Sequence, residues 1–235
     1  MSEKHSGLEH VRGLLKLIQG DEKHDNASNS TLDVLWVLHN RIIFDPHGGS
    51  DSGRDRFYLS KGHGPMALYA ILVHHGKLEI SDLYQFGTFH GRLGHHPDRM
   101  TAPNAVEISS GSLGHGLGVA VGTALALNAQ GDTSSTTYVL VGDGEMDEGS
   151  VWEAVSFAGR MELARLHLIV VDNRTATHGW PGGLEGRLSA EGWACERKSA
   201  LDHDALEDAL RKYDGTRPQA LIVDFPSTPK RQEVR

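Results

Sequence analysis

The sequence holds a single cysteine, Cys195, in 235 residues. An internal disulfide and a cysteine-built metal site are therefore excluded, and the chain suits a reducing compartment. Basic residues are in the minority: 23 Lys and Arg stand against 31 Asp and Glu, a net charge of −8. No long basic run offsets that balance, so nucleic acid is not an expected partner. No apolar run reaches the roughly 18 residues that a membrane span needs. The opening MSEKHSGLEHVRG also lacks an apolar core of signal-peptide length. A cytoplasmic protein is expected. There are no internal repeats, and GxxxxGK[ST] occurs nowhere, which removes the Walker phosphate loop.

Two residue types are abundant instead: 28 glycines and 15 histidines, neither spread evenly. The glycines crowd 87–122 and 142–192, where they let backbone come close to a ligand. His5, His10, His74, His75 and His203 are assigned to the surface. The length suits one large domain, read as 1–235 with flexible ends at about 1–7 and 226–235.

Apolar spacing predicts helices over 8–19 and 31–44, the second capped near Ser30 or Thr31, with the polar stretch 20–30 as a loop between them. A helix is expected from Pro65 to His74 and a short one at 81–86. A glycine- and histidine-rich loop then runs to about 110. The run GSLGHGLGVAVGTALALNAQG (111–131) reads as a small-residue helix with Gly114, Gly118 and Gly122 along one face, pressed against another backbone and buried nearly all round. Strand 137–141, helix 149–163 and strand 167–173 form a βαβ unit with parallel strands. Strand 192–197, helix 204–213 and strand 219–225 complete the pattern. Few strands alternate in polarity, so both of their faces are expected to be covered. The predicted fold class is α/β: an open parallel sheet with helices on both faces, binding its ligand at the carboxyl ends of the strands.

The first strand of the βαβ unit runs into GDGEMDEG (142–149). An EF-hand reading from Asp143 fails, because Glu148 and Ala154 stand where glycine and a bidentate glutamate are required. A different reading fits. Asp143 ends one parallel strand and Asn173 ends the next, so the crossover brings both oxygen ligands to one edge of the sheet. A carboxylate, an amide carbonyl and a backbone carbonyl, completed by two diphosphate oxygens and water, would make an octahedron for Mg²⁺. Gly142 and Gly144 clear side chains from the path of a diphosphate, and the following helix offers N–H groups and the positive end of its dipole.

These residues resemble the thiamine-diphosphate motif, and the wider sequence is similar to transketolase. RDRFYLSKGHGPMALYAIL (54–72), HHPD (95–98), EISSGSLGHGLGVAVG (107–122), GDGEMDEGSVWEA (142–154) and VDNRTATHG (171–179) follow one another in family order. The similarity covers the N-terminal, diphosphate-binding domain and matches the small subunit of split transketolases. It implies thiamine diphosphate and Mg²⁺ as cofactors, with Asp143, Asn173 and the Thr175 carbonyl as metal ligands. It implies that the Gly144 N–H meets the diphosphate, and that Gly111 and Leu113 lie along the aminopyrimidine and linker. His24, His63 and His96 match catalytic histidines of the cofactor and donor-sugar channel. Glu148 and Glu153 match acidic residues at the subunit contact. The implied reaction is transfer of a two-carbon ketol unit from a ketose to an aldehyde. The glutamate that activates the cofactor belongs, in this family, to another domain. A partner subunit with the pyrimidine-binding and C-terminal domains is therefore expected, in a heterotetramer of two plus two.

Four departures bear on the substrate. KHDNASNS (23–30) replaces the family's GHPGGSLS, and His178 stands where aspartate is usual. His115 replaces the glutamine of GSLGQG, and the family's later diphosphate-contacting histidine has no counterpart. The cofactor parts are kept while the substrate-facing parts have shifted. A specialised ketol- or acyl-transferring enzyme of biosynthesis, a pyruvate dehydrogenase-type component and a non-catalytic scaffold subunit therefore stay open as alternatives.

Overall fold

The computed structural model describes residues 3–18, 25–43, 53–62, 65–103, 105–174, 176 and 179–225. Helices α1 (Glu3–Leu15) and α2 (Asp25–Val37) open the chain, and α2 runs into a π-helical turn at Leu38–Ile42. Strand β1 (Arg56–Leu59), helices α3 (Met66–His74), α4 (Ile80–Tyr84) and α5 (His115–Ala129), and strand β2 (Thr137–Gly142) follow. A 3₁₀ turn at Asp143–Asp147 leads to α6 (Gly149–Arg160), β3 (Leu166–Asp172), α7 (Gly183–Ala190), β4 (Ala194–Ser199), α8 (His203–Leu210) and β5 (Gln219–Asp224).

The strands form one five-stranded sheet, ordered β1-β2-β3-β5-β4, and each pairing is parallel. Alternation within each strand divides the core. Leu140, Ile169, Val171, Leu221 and Val223 face a cluster that includes Val11, Leu35, Trp36, Leu68 and Leu206, drawn from α1, α2, α3 and α8. Val139, Val141, Leu168, Val170 and Ile222 face Leu117, Val121, Val151, Val155, Leu184 and Leu188, from α5, α6 and α7. Helices thus cover both faces, as an all-parallel sheet requires. Among the described residues no helix is long and apolar enough to cross a membrane.

The structure corrects several expectations. The polar stretch before Leu32 is not all loop: α2 begins at Asp25, and Ser30 and Thr31 lie buried inside it rather than capping it. Tertiary partners override composition here, because Ser30 Oγ accepts from Lys61 Nζ at 3.0 Å. Strand β1 and helix α7 were not expected. The first is four residues long and begins with an arginine, and the second buries only Leu184 and Leu188 among glycines and polar residues. Strand β4 sits two residues later than expected and is half-exposed, since it is a sheet edge carrying Glu196, Arg197 and Lys198. Helix α5 is not buried all round. Its tight backbone contact is at Gly116, where a Cβ would meet Ser60 at 2.4 Å, while Gly118 and Gly122 have nothing within 4 Å of theirs. Among the histidines assigned to the surface, His10 and His75 are exposed. His74 packs its ring 5.4 Å from that of Trp36, and His203 Nε2 lies 2.8 Å from Asp33 Oδ1, so these two have structural contacts.

Candidate functional site

The register of the central strands builds the site. Leu59 pairs with Leu140, and Gly142 pairs with Val171. Ser60–Gly62 after β1, Asp143–Gly144 after β2 and Asn173 after β3 therefore emerge together at the carboxyl edge. Asp143 is only 1% exposed. Its Oδ1 accepts the Gly144 N–H at 3.0 Å, and its Oδ2 accepts the Ala176 N–H at 3.0 Å. That second bond joins the loop after β3 to the end of β2. Asn173 Nδ2 donates to Ser30 Oγ at 3.4 Å, which ties α2 to the same edge.

Two residues of this edge were not assigned from the sequence. Lys61 is 9% exposed, and its stem lies across Gly142, whose Cβ would sit 3.5 Å from Lys61 Cδ. Burial lowers its ammonium to about 8, outweighing the attraction of Asp143 and then Glu145. Glu145, with no role assigned from the sequence, is 4% exposed. Its Oε1 accepts from Ser60 Oγ at 2.6 Å and from the Gly114 N–H at 3.1 Å, and its Oε2 accepts from the Gly142 N–H at 3.1 Å. Burial pushes its carboxyl up; the bonds from Ser60, Gly142 and Gly114, and the charge of Lys61, pull it down. The only sequence signal for this pair is polar residues placed where apolar strands end.

His96 is brought to the same place through glycines. A Cβ at Gly62 would lie 2.5 Å from Gly111 Cα and 3.0 Å from His96 Cδ2. Gly111 adopts φ +138°, and its own Cβ would meet His96 Cδ2 at 2.9 Å. Glycine is required at both positions for these segments to touch. Tyr69 Oη, 3.2 Å from the carbonyl oxygens of both Gly94 and His96, shares its proton between them and fixes the backbone here. His95 and His96 line an open cavity of about 680 Å³ with residues of the 87–110 loop. His24, His63 and Thr175 lie outside the described residues.

Leu113 is 45% exposed, as is Phe157. With Val119, Ala154 and Glu153 they line an open groove of about 820 Å³ between α5 and α6. Glu148 and Glu153 are both exposed on this side. A larger depression, of about 930 Å³, lies by the opposite ends of β1 and β2 and is lined by Arg54, Arg56, Glu107 and Ser134. The Arg54–Glu107 ion pair belongs to it, and it is remote from the edge that carries Asp143.

An open parallel sheet with a buried, hydrogen-bonded polar cradle at its carboxyl edge defines an α/β ligand-binding domain. Residues 16–224 match the family described as transketolase, thiamine diphosphate binding domain, and the chain belongs to the transketolase family. It is 46% identical over 223 residues to "Ferredoxin fas2" of Rhodococcoides fascians, covering 94% of this chain and 73% of that protein. It is 33% identical to the 6-deoxy-6-sulfo-D-fructose transketolase subunit SqwG of Clostridium sp. (strain MSTE9), covering 90% of this chain and 81% of the subunit. A transketolase variant from Pichia stipitis in complex with fructose 6-phosphate superposes with a TM-score of 0.81 at 25% identity, covering 95% of this chain. The match spans 36% of that transketolase chain.

Proposed function

We propose that this chain is the diphosphate- and Mg²⁺-binding subunit of a thiamine-diphosphate-dependent, transketolase-type enzyme. The observation that carries the reading is the joined edge of β2 and β3, where the buried Asp143 carboxylate holds the Ala176 N–H beside Asn173. Among the described residues no three His, Cys, Asp or Glu side chains gather into a metal cage. One carboxylate and one amide at adjacent strand ends suit a cation whose remaining ligands come from a diphosphate and water. Asp143, Asn173 and the Thr175 carbonyl would hold the metal. Gly142 and Gly144 leave room for the diphosphate, and Gly111 and Leu113 would lie along the cofactor's linker and aminopyrimidine.

Thiamine diphosphate, when bound, supplies a carbanion for attack on a carbonyl and a sink for the resulting electrons. This chain's residues orient the site and handle protons. His96, held against Gly111, is a candidate for proton transfer at the donor's oxygens, and His63 and His24 are candidates from the family resemblance. The substrates are a ketose donor and an aldehyde acceptor.

Activity is expected only with a partner subunit carrying the pyrimidine-binding and C-terminal domains, in a two-plus-two heterotetramer. The SqwG relative is itself named as a subunit, and this chain covers 81% of it. The exposed Glu148 and Glu153 beside the α5–α6 groove suit the subunit contact. The name of the fas2 relative denotes a ferredoxin, but this chain's one cysteine cannot supply the four thiolates of a cluster. Asp143→Ala is expected to abolish Mg²⁺-dependent binding of thiamine diphosphate by the assembled enzyme in calorimetry. Unchanged affinity would refute the metal assignment, and turnover by the purified chain alone would refute partner dependence.

A further inference from the structure

We propose that Glu145 is a positioning residue, a buried carboxylate that holds three backbone segments together as one cradle for the diphosphate end of the cofactor. The inference rests on the functional reading above and adds a residue to it. Ser60, Gly114 and Gly142, the three donors to Glu145, belong to different parts of the chain. Ser60 follows β1 and starts the loop toward His63. Gly114 follows Leu113 and begins α5. Gly142 ends β2 and precedes Asp143.

The contacts extend beyond the carboxylate. Ser60 Oγ also accepts the Gly116 N–H at 3.1 Å, so the first turn of α5 is bound to β1 both through Glu145 and directly. Gly114 stands at φ +79°, a left-handed conformation open to glycine at little cost, and this geometry accompanies its N–H bond to Glu145. The Lys61 side chain, buried beside the same turn, lays its stem within 3.5 Å of a Cβ built at Gly142. A carboxylate used only to finish the turn would need the local bond to Gly142 and nothing more. Here two of the three donors lie 31 and 85 residues away in sequence.

Glu145→Gln preserves the shape but leaves one acceptor oxygen for three donors and turns an NH₂ group toward one of them. In the purified chain, hydrogen exchange at the Gly142 amide, which faces the new NH₂ group when Oε1 keeps its two donors, is expected to quicken at least about tenfold, the size of one lost hydrogen bond to a charged group. Exchange at the Gly114 amide is expected to quicken by less. Exchange at Val139, inside β2, is expected to stay unchanged. In the assembled enzyme, calorimetry with thiamine diphosphate and Mg²⁺ is expected to show affinity at least about tenfold weaker. Ser60→Ala, which removes one donor, should move both readings in the same direction by less, and it carries the test if the glutamine variant does not fold. Unchanged exchange in both variants would overturn the proposal. So would faster exchange with unchanged cofactor affinity, which would make Glu145 a support of the fold alone. A parent enzyme that binds no cofactor would overturn the functional reading instead, while exchange would still show whether Glu145 joins the three segments.

Discussion

Replacing Gly118 and Gly122 by alanine together should separate the stability of this chain from its assembly. Both lie inside α5, and a Cβ at either position meets nothing within 4 Å. Neither has the positive φ that would strain an alanine. Glycine in a helix interior is about 1 kcal/mol less favourable than alanine, mostly through unfolded-state entropy. The double variant should therefore stabilise the isolated chain by about 1–2 kcal/mol. At roughly 2–4 °C per kcal/mol for a domain of this size, the melting temperature should rise by about 2–8 °C. Two open glycines on an exposed helix face, next to the groove lined by Leu113, Glu153 and Phe157, suit close approach by another subunit. Two added methyl groups would then hold the backbones apart, and overpacking of that kind costs about 1–3 kcal/mol. Assembly should weaken about 5- to 150-fold. Thermal melts of the chain alone, and sedimentation titration with the partner subunit, measure the two effects separately. A stabilised chain that assembles as tightly as the parent would refute the placement of the interface. An unchanged melting temperature would refute the reading of the helix face as open.

Two further outcomes are expected. His63→Ala should lower turnover of the assembled enzyme more than it lowers cofactor affinity; equal losses, measured by steady-state kinetics beside calorimetry, would make His63 structural. His167, on β3 with its ring 5.0 Å from that of Tyr138, is buried, and burial lowers its imidazole to about 4. The folded value lies below the ordinary value near 6.5, so stability is full above that pH and is lost as pH falls toward 4. By pH 4.5 the loss is about 2–3 kcal/mol. His167→Phe should flatten acid denaturation between pH 6.5 and 4.5, and an identical slope in denaturant titrations of both proteins would contradict this.

The parts of the fold that could be read in advance are those where burial alone decides. The interiors of β2, β3 and β5 are apolar runs covered on both faces, and the crossover between β2 and β3 placed Asp143 and Asn173 at one edge. The parts that could not be read are those where polar groups are buried against partners distant in sequence. The first half of α2 looked like a loop because Ser30 is polar, yet Lys61 and Asn173 satisfy it from other segments. Glu145 sits in an acidic loop with no apolar signal, and two of its donors come from the segments just after β1 and just before α5. Strand β1 is short and starts with Arg56, whose guanidinium donates to the Arg54 carbonyl at 2.5 Å, so no apolar run announces it. Composition reports the average environment of a residue type, and buried hydrogen-bonded polar groups depart from that average.

The same contrast bears on the proposed sharing of the site between this chain and a partner subunit. Among the described residues, the polar groups of the carboxyl edge are held within this chain: Asp143 has backbone donors on both oxygens, and Glu145 accepts from one hydroxyl and two backbone N–H groups. Such a site needs no partner to arrange it, because its polar groups are already oriented and their reorganisation on binding is small. The face formed by α5 and α6 is the opposite. Leu113 and Phe157 are each 45% exposed and Met161 is 49% exposed, and Gly118 and Gly122 face open space. Leu113 is one residue from Gly114, whose N–H belongs to the Glu145 cradle. A subunit docking on this face would therefore press on the segment that begins the cofactor cradle. Assembly and cofactor binding should be linked through residues 111–116, so thiamine diphosphate should tighten subunit association by the same factor that association tightens thiamine diphosphate.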